Sequence, residues 1–234
     1  MQCVIFCGGY GTRMNNGEPG QLKPLIKVAN KEILRHIISI YEYYGINNFL
    51  LLGGYKIEDL NEFVLKYSSN KLNIRVLDTG DGTPTGGRLL MAQNEITSEN
   101  FLLTYGDSLT NFNLEKCLKF KEEKKSDLVV STYNKYIEYG ILNIDENQRL
   151  TEIYEKTYSV PINAGFYIMN KLVFKYMESM NDSFEIDVLP KIINDENIII
   201  STFKLDFWHP MDTPNDQKKL ENILSENPNI IFQS

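Results

Sequence analysis

The amino-acid sequence predicts an α/β fold, a mostly parallel sheet flanked by helices, with a small antiparallel or mixed insertion. Short apolar runs alternate with amphipathic stretches over the first 132 residues, which is the pattern of successive strand and helix units. Over residues 139–169 the pattern changes to short apolar segments separated by glycine and Asp-Glu-Asn turns, which favours paired short strands. Helical stretches then resume. We therefore expect one domain over residues 1–234, with a small lobe at about residues 136–170.

Each element is predicted from its local pattern. Residues 3–7 form a continuous apolar run of strand length, whereas residues 31–44 carry apolar side chains at helical spacing and end at Gly45, a residue typical of helix C-termini. The same criteria place strands at 3–7, 49–52, 74–77, 101–104, 128–132 and 198–203. They place helices at 31–44, 57–67, 86–94, 114–124, 172–178, 187–193 and 213–224.

Composition narrows the class of protein. Hydrophobic residues make up 42% of the chain and charged residues 24%, as in an ordinary globular domain. The net charge of −7 argues against broad binding to nucleic acid or to acidic membranes, because phosphate affinity is built from clustered Lys and Arg. The longest uncharged apolar run, residues 1–7, is too short to span a bilayer and lacks the preceding basic residues of a signal peptide. We expect a cytoplasmic protein whose cysteines, Cys3, Cys7 and Cys117, are reduced.

A glycine-rich turn, GGYGTR at residues 8–13, follows the first predicted strand directly. Open α/β sheets bind ligands at the carboxyl ends of their strands, so backbone N–H groups in this turn can approach a phosphate or a base. Arg13 adds positive charge at the end of the turn. The dinucleotide fingerprint fails because its third glycine falls on Met14, and no Walker A sequence follows. A tight strand-to-helix turn is the alternative interpretation.

A candidate phosphate-binding lysine follows the glycine-rich turn. Lys23 lies ten residues beyond Arg13 and is followed by Pro24, which fixes the backbone next to it. A lysine so placed can reach a triphosphate bound over the glycine-rich turn. A solvated surface charge is the alternative interpretation for a lone loop lysine.

Two carboxylates are candidates for a metal site. Asp107 follows the strand predicted at 101–104, and Asp212 comes just before the helix predicted at 213–224. Carboxylates from distant segments can share one Mg²⁺ that also takes phosphate oxygens. For Asp212 a helix N-cap role is the alternative, although Thr213 could fill that role equally well.

Three further segments carry polar groups. The sequence DTGDGTPTGGRL at residues 78–89 is a glycine-rich loop that ends at a helix N-terminus, where anions or base edges are attracted, and Arg88 lies in the first helical turn. In the small lobe, Glu155 and Lys156 end one strand and INAGF at residues 162–166 begins another. A weak surface ion pair is the alternative interpretation for Glu155 and Lys156.

Together these segments resemble the sugar-nucleotidyltransferase family, and within it the CTP-dependent glucose-1-phosphate cytidylyltransferases. The similarity extends from the first strand to about Glu221. Chance agreement of so many motifs in the family order is improbable, although any one motif alone is weak. The motifs are GGYGTR at 8–13, Lys-Pro at 23–24, DTG and TPTGGRL within 78–89, TYGD at 104–107, EK at 155–156, INAGF at 162–166 and FWHPMDT at 207–213.

The resemblance implies a Rossmann-like nucleotidyltransferase fold and a role for each matching residue. The nucleotide-binding residues would be Gly8, Gly9, Gly11, Thr12, Gly86, Gly87 and Arg88. The catalytic cations would be Arg13 and Lys23 at the triphosphate and Lys156 at the acceptor phosphate. Lys156, Glu155 and Asn163 would bind the acceptor, and Asp107 and Asp212 would hold Mg²⁺.

The implied reaction couples CTP to a phosphorylated small molecule, releases pyrophosphate and makes a CDP-activated precursor for surface polysaccharide or capsule. A phosphate is already ionised at neutral pH, so the implied in-line attack needs cations rather than a general base. A catalytically silent nucleotide-binding or regulatory domain is the alternative from another functional class. The candidate metal carboxylates and triphosphate cations are all present, which argues against it. A homo-oligomer is left open.

Departures from the family pattern fall on the acceptor side. Thr157 replaces the proline of the family's Glu-Lys-Pro, the stretch from there to Asn163 is short, and Ala164 replaces a glycine. The 22 residues between Tyr55 and Asp78 also leave little room for the extended arm that glucose-specific relatives carry there. The acceptor is therefore open between a sugar 1-phosphate such as glucose 1-phosphate and a non-sugar phosphate such as L-glutamine phosphate.

Overall fold

The structure is a computed structural model that describes residues 1–11, 14, 20–155 and 158–232. The strands are β1 (Cys3–Phe6), β2 (Lys27–Val28), β3 (Lys31–Glu32), β4 (Asn48–Gly53), β5 (Asn73–Asp78), β6 (Asn100–Tyr105), β7 (Ser108–Thr110), β8 (Leu128–Tyr136), β9 (Ile141–Ile144), β10 (Leu150–Tyr154), β11 (Ser159–Asn170), β12 (Ile200–Lys204) and β13 (Trp208–Pro210). The α-helices are α1 (Ile33–Tyr43), α2 (Ile57–Tyr67), α3 (Thr85–Met91), α4 (Leu114–Lys124), α5 (Leu189–Ile193) and α6 (Pro214–Glu226).

Seven of the strands in the described part of the chain form a central sheet in the order β12-β8-β11-β6-β1-β4-β5. The pairs β4–β5, β1–β4, β1–β6 and β8–β12 are parallel, and β11 runs antiparallel to both of its neighbours, β6 and β8. The expected mostly parallel sheet flanked by helices is confirmed. Because β1 and β6 are parallel neighbours, the glycine-rich turn and Asp107 leave the sheet at the same edge.

The core lies on both faces of this sheet. Alternate residues of β1 supply the two sides: Cys3 and Ile5 pack with α1 on one face, while Val4 and Phe6 pack with α3 and the segment around Phe184 on the other. A strand covered on both faces has to be apolar throughout, which explains the continuous apolar run at the start of the chain. The three cysteines are buried and free, as the sequence predicts.

The structure corrects the small lobe. Residues 159–170 are not part of a separate insertion but form β11, a long strand of the central sheet. Its residues from Ala164 to Met169 are buried, so this half of the strand has the apolar character of a central strand rather than of a surface hairpin. The separate lobe therefore consists of the antiparallel β9–β10 hairpin.

Two predicted helices differ in type from the structure. The segment predicted as a helix at 172–178 is a 3₁₀ helix over Lys171–Tyr176, and the helix predicted at 187–193 is α5 preceded by a π-helix over Phe184–Val188. Both segments have apolar residues at roughly helical spacing, and this pattern alone does not separate the three helix types. The residues between Tyr55 and Asp78 form α2, a turn and β5, which leaves no room in this segment for the extended arm of glucose-specific relatives.

Candidate active site

A cavity of about 420 Å³ lies at the carboxyl edge of β1 and β6. It is lined by residues 6–11, from the end of β1 and the glycine-rich turn, and by residues 82–85 and Arg88. The end of β6 contributes residues 105–107, and Lys23, Pro24 and Asp212 complete the lining. The structure thus brings together Gly8, Gly9, Gly11, Lys23, Arg88, Asp107 and Asp212 from the sequence-predicted set.

Lys23 lies between the two candidate metal carboxylates. Its Nζ atom donates to Asp107 Oδ2 at 2.7 Å and to Asp212 Oδ1 at 2.5 Å. Burial alone would lower the pKa of Lys23, but the carboxylates of Asp107 and Asp212 outweigh burial, and the pKa is raised above that of a free lysine. Lys23 is therefore a half-buried cation of the site, not a solvated surface lysine. Since both carboxylates converge on one ammonium group, they are also close enough to share one small metal cation.

A short strand pair brings Asp212 to Asp107. Strand β13 pairs with β7, which begins immediately after Asp107, and the Met211 N–H donates to the Asp107 carbonyl at 2.8 Å. The next residue, Thr213, is the N-cap of α6 and forms a capping box with Asp216. Thr213 therefore fills the N-cap role that was the alternative interpretation of Asp212, whose carboxylate points to Lys23 instead.

Arg88 is almost fully buried and holds three loops together. Its guanidinium group donates to the carbonyls of Gly8 and Gly53 at 3.1 and 2.6 Å and to Thr79 Oγ1 at 2.5 Å. A methyl group at Gly8 would overlap this guanidinium, so the absence of a Cβ there makes room for it. Burial lowers the pKa of Arg88. Arg88 thus lines the cavity and ties together the ends of β1, β4 and β5, through the Gly8 and Gly53 carbonyls and the Thr79 hydroxyl.

Gly86 and Gly87 do not lie where a nucleotide-binding role would place them. They are at the start of α3 but are absent from the described lining of the cavity. Added Cβ atoms would approach the Asp182 carbonyl oxygen to 2.6 Å at Gly86 and overlap the Met180 carbonyl oxygen at Gly87. The two glycines therefore allow α3 to pack closely against the turn before the π-helix, and their effect on a bound nucleotide would be indirect.

The acceptor side is only partly described. Thr12, Arg13 and Lys156 lie outside the described residues. Glu155 is exposed beyond the end of β10, and Asn163 is exposed on β11, where its side chain accepts from the Gly165 N–H at 2.9 Å and donates to the Tyr167 hydroxyl at 2.5 Å. Neither Glu155 nor Asn163 lines the cavity within the described part of the chain.

Two aromatic residues next to these groups were missed by the sequence analysis. Tyr105 lines the cavity, and Trp208 donates its indole N–H to the Ala164 carbonyl at 2.8 Å. Both lie within motifs that the analysis singled out, TYGD and FWHPMDT, but only the carboxylates of those motifs were assigned roles. The available signal was a large aromatic residue shortly before each carboxylate, two positions before Asp107 and four before Asp212.

The sequence model of the nucleotidyl transferase family matches residues 2–221. The chain belongs to this family. A probable glucose-1-phosphate cytidylyltransferase of Bacillus subtilis (strain 168) is 36% identical to this nucleotidyltransferase, over 91% of this chain and 92% of the relative. The glucose-1-phosphate cytidylyltransferase of Salmonella typhi is 28% identical, over 95% of each chain.

Solved structures agree on the fold of this nucleotidyltransferase. HddC from Yersinia pseudotuberculosis, complexed with GMP-PN, superimposes with a TM-score of 0.74 at 24% identity, covering 95% of this chain and 99% of HddC. The inositol-1-phosphate CTP transferase from T. maritima gives a TM-score of 0.69 at 19% identity, covering 97% and 96%. The predicted Rossmann-like nucleotidyltransferase fold is confirmed, and the protein is a nucleoside-triphosphate-dependent nucleotidyltransferase.

Proposed function

We propose that this nucleotidyltransferase is a cytidylyltransferase, which transfers the cytidylyl group of CTP to the phosphate of a small acceptor and releases pyrophosphate. The observation that carries the proposal is the convergence of Lys23, Asp107 and Asp212 on one cavity between the glycine-rich turn and the loop before α3. The relatives named cytidylyltransferases, which align over nearly the whole chain, support the choice of nucleotide.

The transfer is a single displacement. An acceptor phosphate oxygen attacks the α-phosphorus of CTP, a new P–O bond forms, and the bond to the β-phosphate breaks with pyrophosphate as the leaving group. The attacking oxygen is already ionised at neutral pH, so no side chain has to remove a proton. The protein must instead bring two anions together, and Lys23 supplies positive charge where the triphosphate would lie. Arg13 is proposed to act beside it.

The donor set fits Mg²⁺. Two carboxylates that point at one position, with room in the cavity for phosphate oxygens, are the usual protein contribution to a Mg²⁺ site in nucleotide enzymes. We propose that Asp107 and Asp212 hold the ion. When bound, Mg²⁺ would polarise the phosphate oxygens and neutralise part of their charge. Lys23 would then turn from the carboxylates toward the triphosphate.

Selection of CTP is attributed to the two loops that line the cavity, the glycine-rich turn and residues 82–85, and Arg88 holds the first of them through the Gly8 carbonyl. Cytosine presents an exocyclic amine where uracil presents a carbonyl, so a backbone carbonyl of these loops would be left unpaired against the wrong base. We propose that Gly8, Gly9, Gly11 and Thr12 contact the nucleotide directly and that Gly86, Gly87 and Arg88 support those contacts through packing and loop position.

The acceptor is proposed to be a sugar 1-phosphate. Glucose 1-phosphate is the first candidate, because two similar proteins are named glucose-1-phosphate cytidylyltransferases. L-Glutamine phosphate is the second candidate. It is favoured by the departures at Thr157 and Ala164 and by the absence of an arm between Tyr55 and Asp78. In either case Lys156 would contact the acceptor phosphate, and Glu155 and Asn163 would contact its hydroxyl or amino groups. Supply of a capsule or surface-polysaccharide precursor, and assembly as a homo-oligomer, stay predictions.

The test is a pyrophosphate-release assay with CTP, UTP, ATP and dTTP against glucose 1-phosphate, L-glutamine phosphate and other phosphorylated metabolites. We expect turnover with CTP and at least one acceptor, and much weaker turnover with the other nucleotides. Asp107→Asn and Asp212→Asn are expected to lose activity equivalent to several kcal/mol of barrier. Comparable turnover with UTP would contradict the nucleotide assignment. Silence across the whole panel in the wild-type protein would instead favour a nucleotide-binding regulatory domain.

A further inference from the structure

Strand β11 contains a bulge at the residues of the INAGF motif. Its ladder with β8 shifts register between Asn163 and Tyr167, and Gly165 adopts a φ of +77°, a conformation that favours glycine. The Phe166 N–H donates to Ser131 Oγ at 3.1 Å. The Asn163 side chain closes the bulge by accepting the Gly165 N–H. The bulge is therefore a built feature with its own hydrogen bonds, not a fraying of the strand.

The bulge supports one wall of the cavity. A Cβ added at Gly165 would lie 2.6 Å from Tyr105 Cδ2, so the Tyr105 ring packs directly on the bulge backbone. Tyr105 lines the cavity two residues before the carboxylate of Asp107. On its other side the bulge carries Asn163, the residue proposed to contact the acceptor. Displacement of the bulge would therefore move the acceptor side relative to the nucleotide side.

Trp208 connects this bulge to the metal carboxylates. Its indole N–H donates to the Ala164 carbonyl at 2.8 Å, and its ring packs against Tyr133 with 5.8 Å between centroids. Trp208 begins β13, the strand whose pairing with β7 sets Asp212 beside Asp107. One short strand thus holds the acceptor-side bulge at one end and a carboxylate of the reaction centre at the other.

The Ala164 carbonyl belongs to a buried residue, so its hydrogen bond with the Trp208 indole stabilises the bulge. Ala164 is 2% exposed, and loss of the indole donor would leave a largely buried carbonyl without this hydrogen bond. An unpaired buried carbonyl is costly, and the bulge would relax toward water or another donor. Relaxation would first displace the adjacent Asn163 and Gly165, whereas the glycine-rich turn, held by Arg88 at the Gly8 carbonyl, would stay in place.

We propose that Trp208 is a positioning residue for the acceptor: its indole N–H fixes the bulge of β11 at the distance from Asp212 that the transfer needs. The proposal rests on the proposed transfer to a phosphorylated acceptor. A purely structural tryptophan would lower stability when replaced without distinguishing the two substrates. A positioning tryptophan affects the acceptor selectively.

The first test compares Trp208→Phe with His209→Gln, using CTP and the acceptor that the wild-type protein turns over. Phe keeps a ring next to Tyr133 but has no N–H donor. We expect the KM for the acceptor to rise about tenfold and the KM for CTP to change less than twofold. His209 is the neighbouring residue of β13, and its Nδ1 contacts the Pro210 carbonyl, so its variant should change neither KM. Equal increases in both KM values, or a lower Tm with both unchanged, would overturn the proposal.

The second test uses the fluorescence of Trp208, the single tryptophan of the chain. The wild-type protein is saturated with α,β-methylene-CTP, which cannot transfer its nucleotidyl group, and then titrated with glucose 1-phosphate and L-glutamine phosphate. We expect the emission to shift on binding of the true acceptor, and no emission change at acceptor saturation would overturn the proposal even if Trp208→Phe fails to fold. Absence of turnover in the wild-type protein would count against the proposed function alone, because binding and emission are read without catalysis.

Discussion

Lys23 can bind two partners in turn, first the carboxylates of Asp107 and Asp212 and then the triphosphate. In the described structure its ammonium group takes the position between Asp107 and Asp212 where a metal ion would be shared. Two neighbouring carboxylates without a cation would repel each other, so Lys23 stabilises the pair of carboxylates. The same contact should make the protein a poor binder of a free divalent ion, since the ion must displace an ammonium group that is already paired.

This view predicts the effect of Lys23→Met on metal affinity. Methionine has a similar length and no charge, so we expect the nucleotide-free variant to bind Mn²⁺ about tenfold or more tightly than the wild-type protein. Calorimetric titration with Mn²⁺ measures the change without reference to catalysis. Lys119→Met, at an exposed position of α4, serves as the control and should bind like the wild-type protein. Unchanged affinity in the Lys23 variant would contradict the role assigned to the ammonium group.

At the scale of elements, the contact between α3 and the turn at residues 180–182 sets the position of the nucleotide loop. Helix α3 starts at Thr85, immediately after the cavity residues 82–84, and the Gly87 N–H donates to the Asp182 carbonyl at 3.1 Å. Thr85 Oγ1 also donates to Glu185 Oε2 at 2.8 Å, in the π-helix. The helix is short, so these contacts replace the stability that its own length cannot provide.

Gly87→Ala tests this contact. The added methyl group would overlap the Met180 carbonyl oxygen, and because both atoms are tied to backbone the helix must move away. We expect a loss of about 2 kcal/mol in the free energy of unfolding and a higher KM for the nucleotide. Urea denaturation measures the first effect and steady-state kinetics the second. Gly9→Ala is a control for stability, because a Cβ at that position meets nothing within 4 Å. Equal stability of the two variants would refute the close-packing argument.

The predicted and observed elements can be compared to see which of them local sequence patterns determine. The helices predicted at 57–67 and 114–124 match α2 and α4 in their bounds. The segment of strand β11 was wrongly assigned to the small lobe, whereas it belongs to the central sheet. Its exposed half carries polar and turn-forming residues, while its burial depends on pairing with β6 and β8, which are distant in sequence.

At the scale of the whole molecule, acid should weaken the fold through His36. This histidine is buried in α1 and its Nε2 lies 2.9 Å from the Val28 carbonyl. Burial lowers its pKa, the Val28 contact opposes this, Lys31 and Arg35 lower the pKa further, and Glu32 raises it. In the unfolded chain the pKa returns to about 6.5. The unfolded chain therefore binds a proton more readily than the folded protein does.

Since the folded-state pKa of His36 is depressed, the stabilising contribution of the neutral ring is present above pH 6.5 and is lost as the pH falls toward the folded-state pKa. We expect the urea midpoint to be lower at pH 5.5 than at pH 7.5. The His36→Gln variant, whose side chain does not titrate, should show a smaller difference between the two pH values. The same pH dependence in both proteins would assign the effect to other groups.

The sequence by itself determined the parallel half of the sheet and the placement of polar groups at its carboxyl edge. These properties are local: short apolar strands, amphipathic helices between them, and a glycine turn or a carboxylate where a strand ends. The tertiary structure alone decided that Lys23 joins Asp107 to Asp212, that Arg88 binds loop carbonyls, and that Gly86 and Gly87 face residues 180–182. Each of these depends on the distance between segments far apart in the chain, and that distance is fixed by packing of the whole core, which no local pattern encodes.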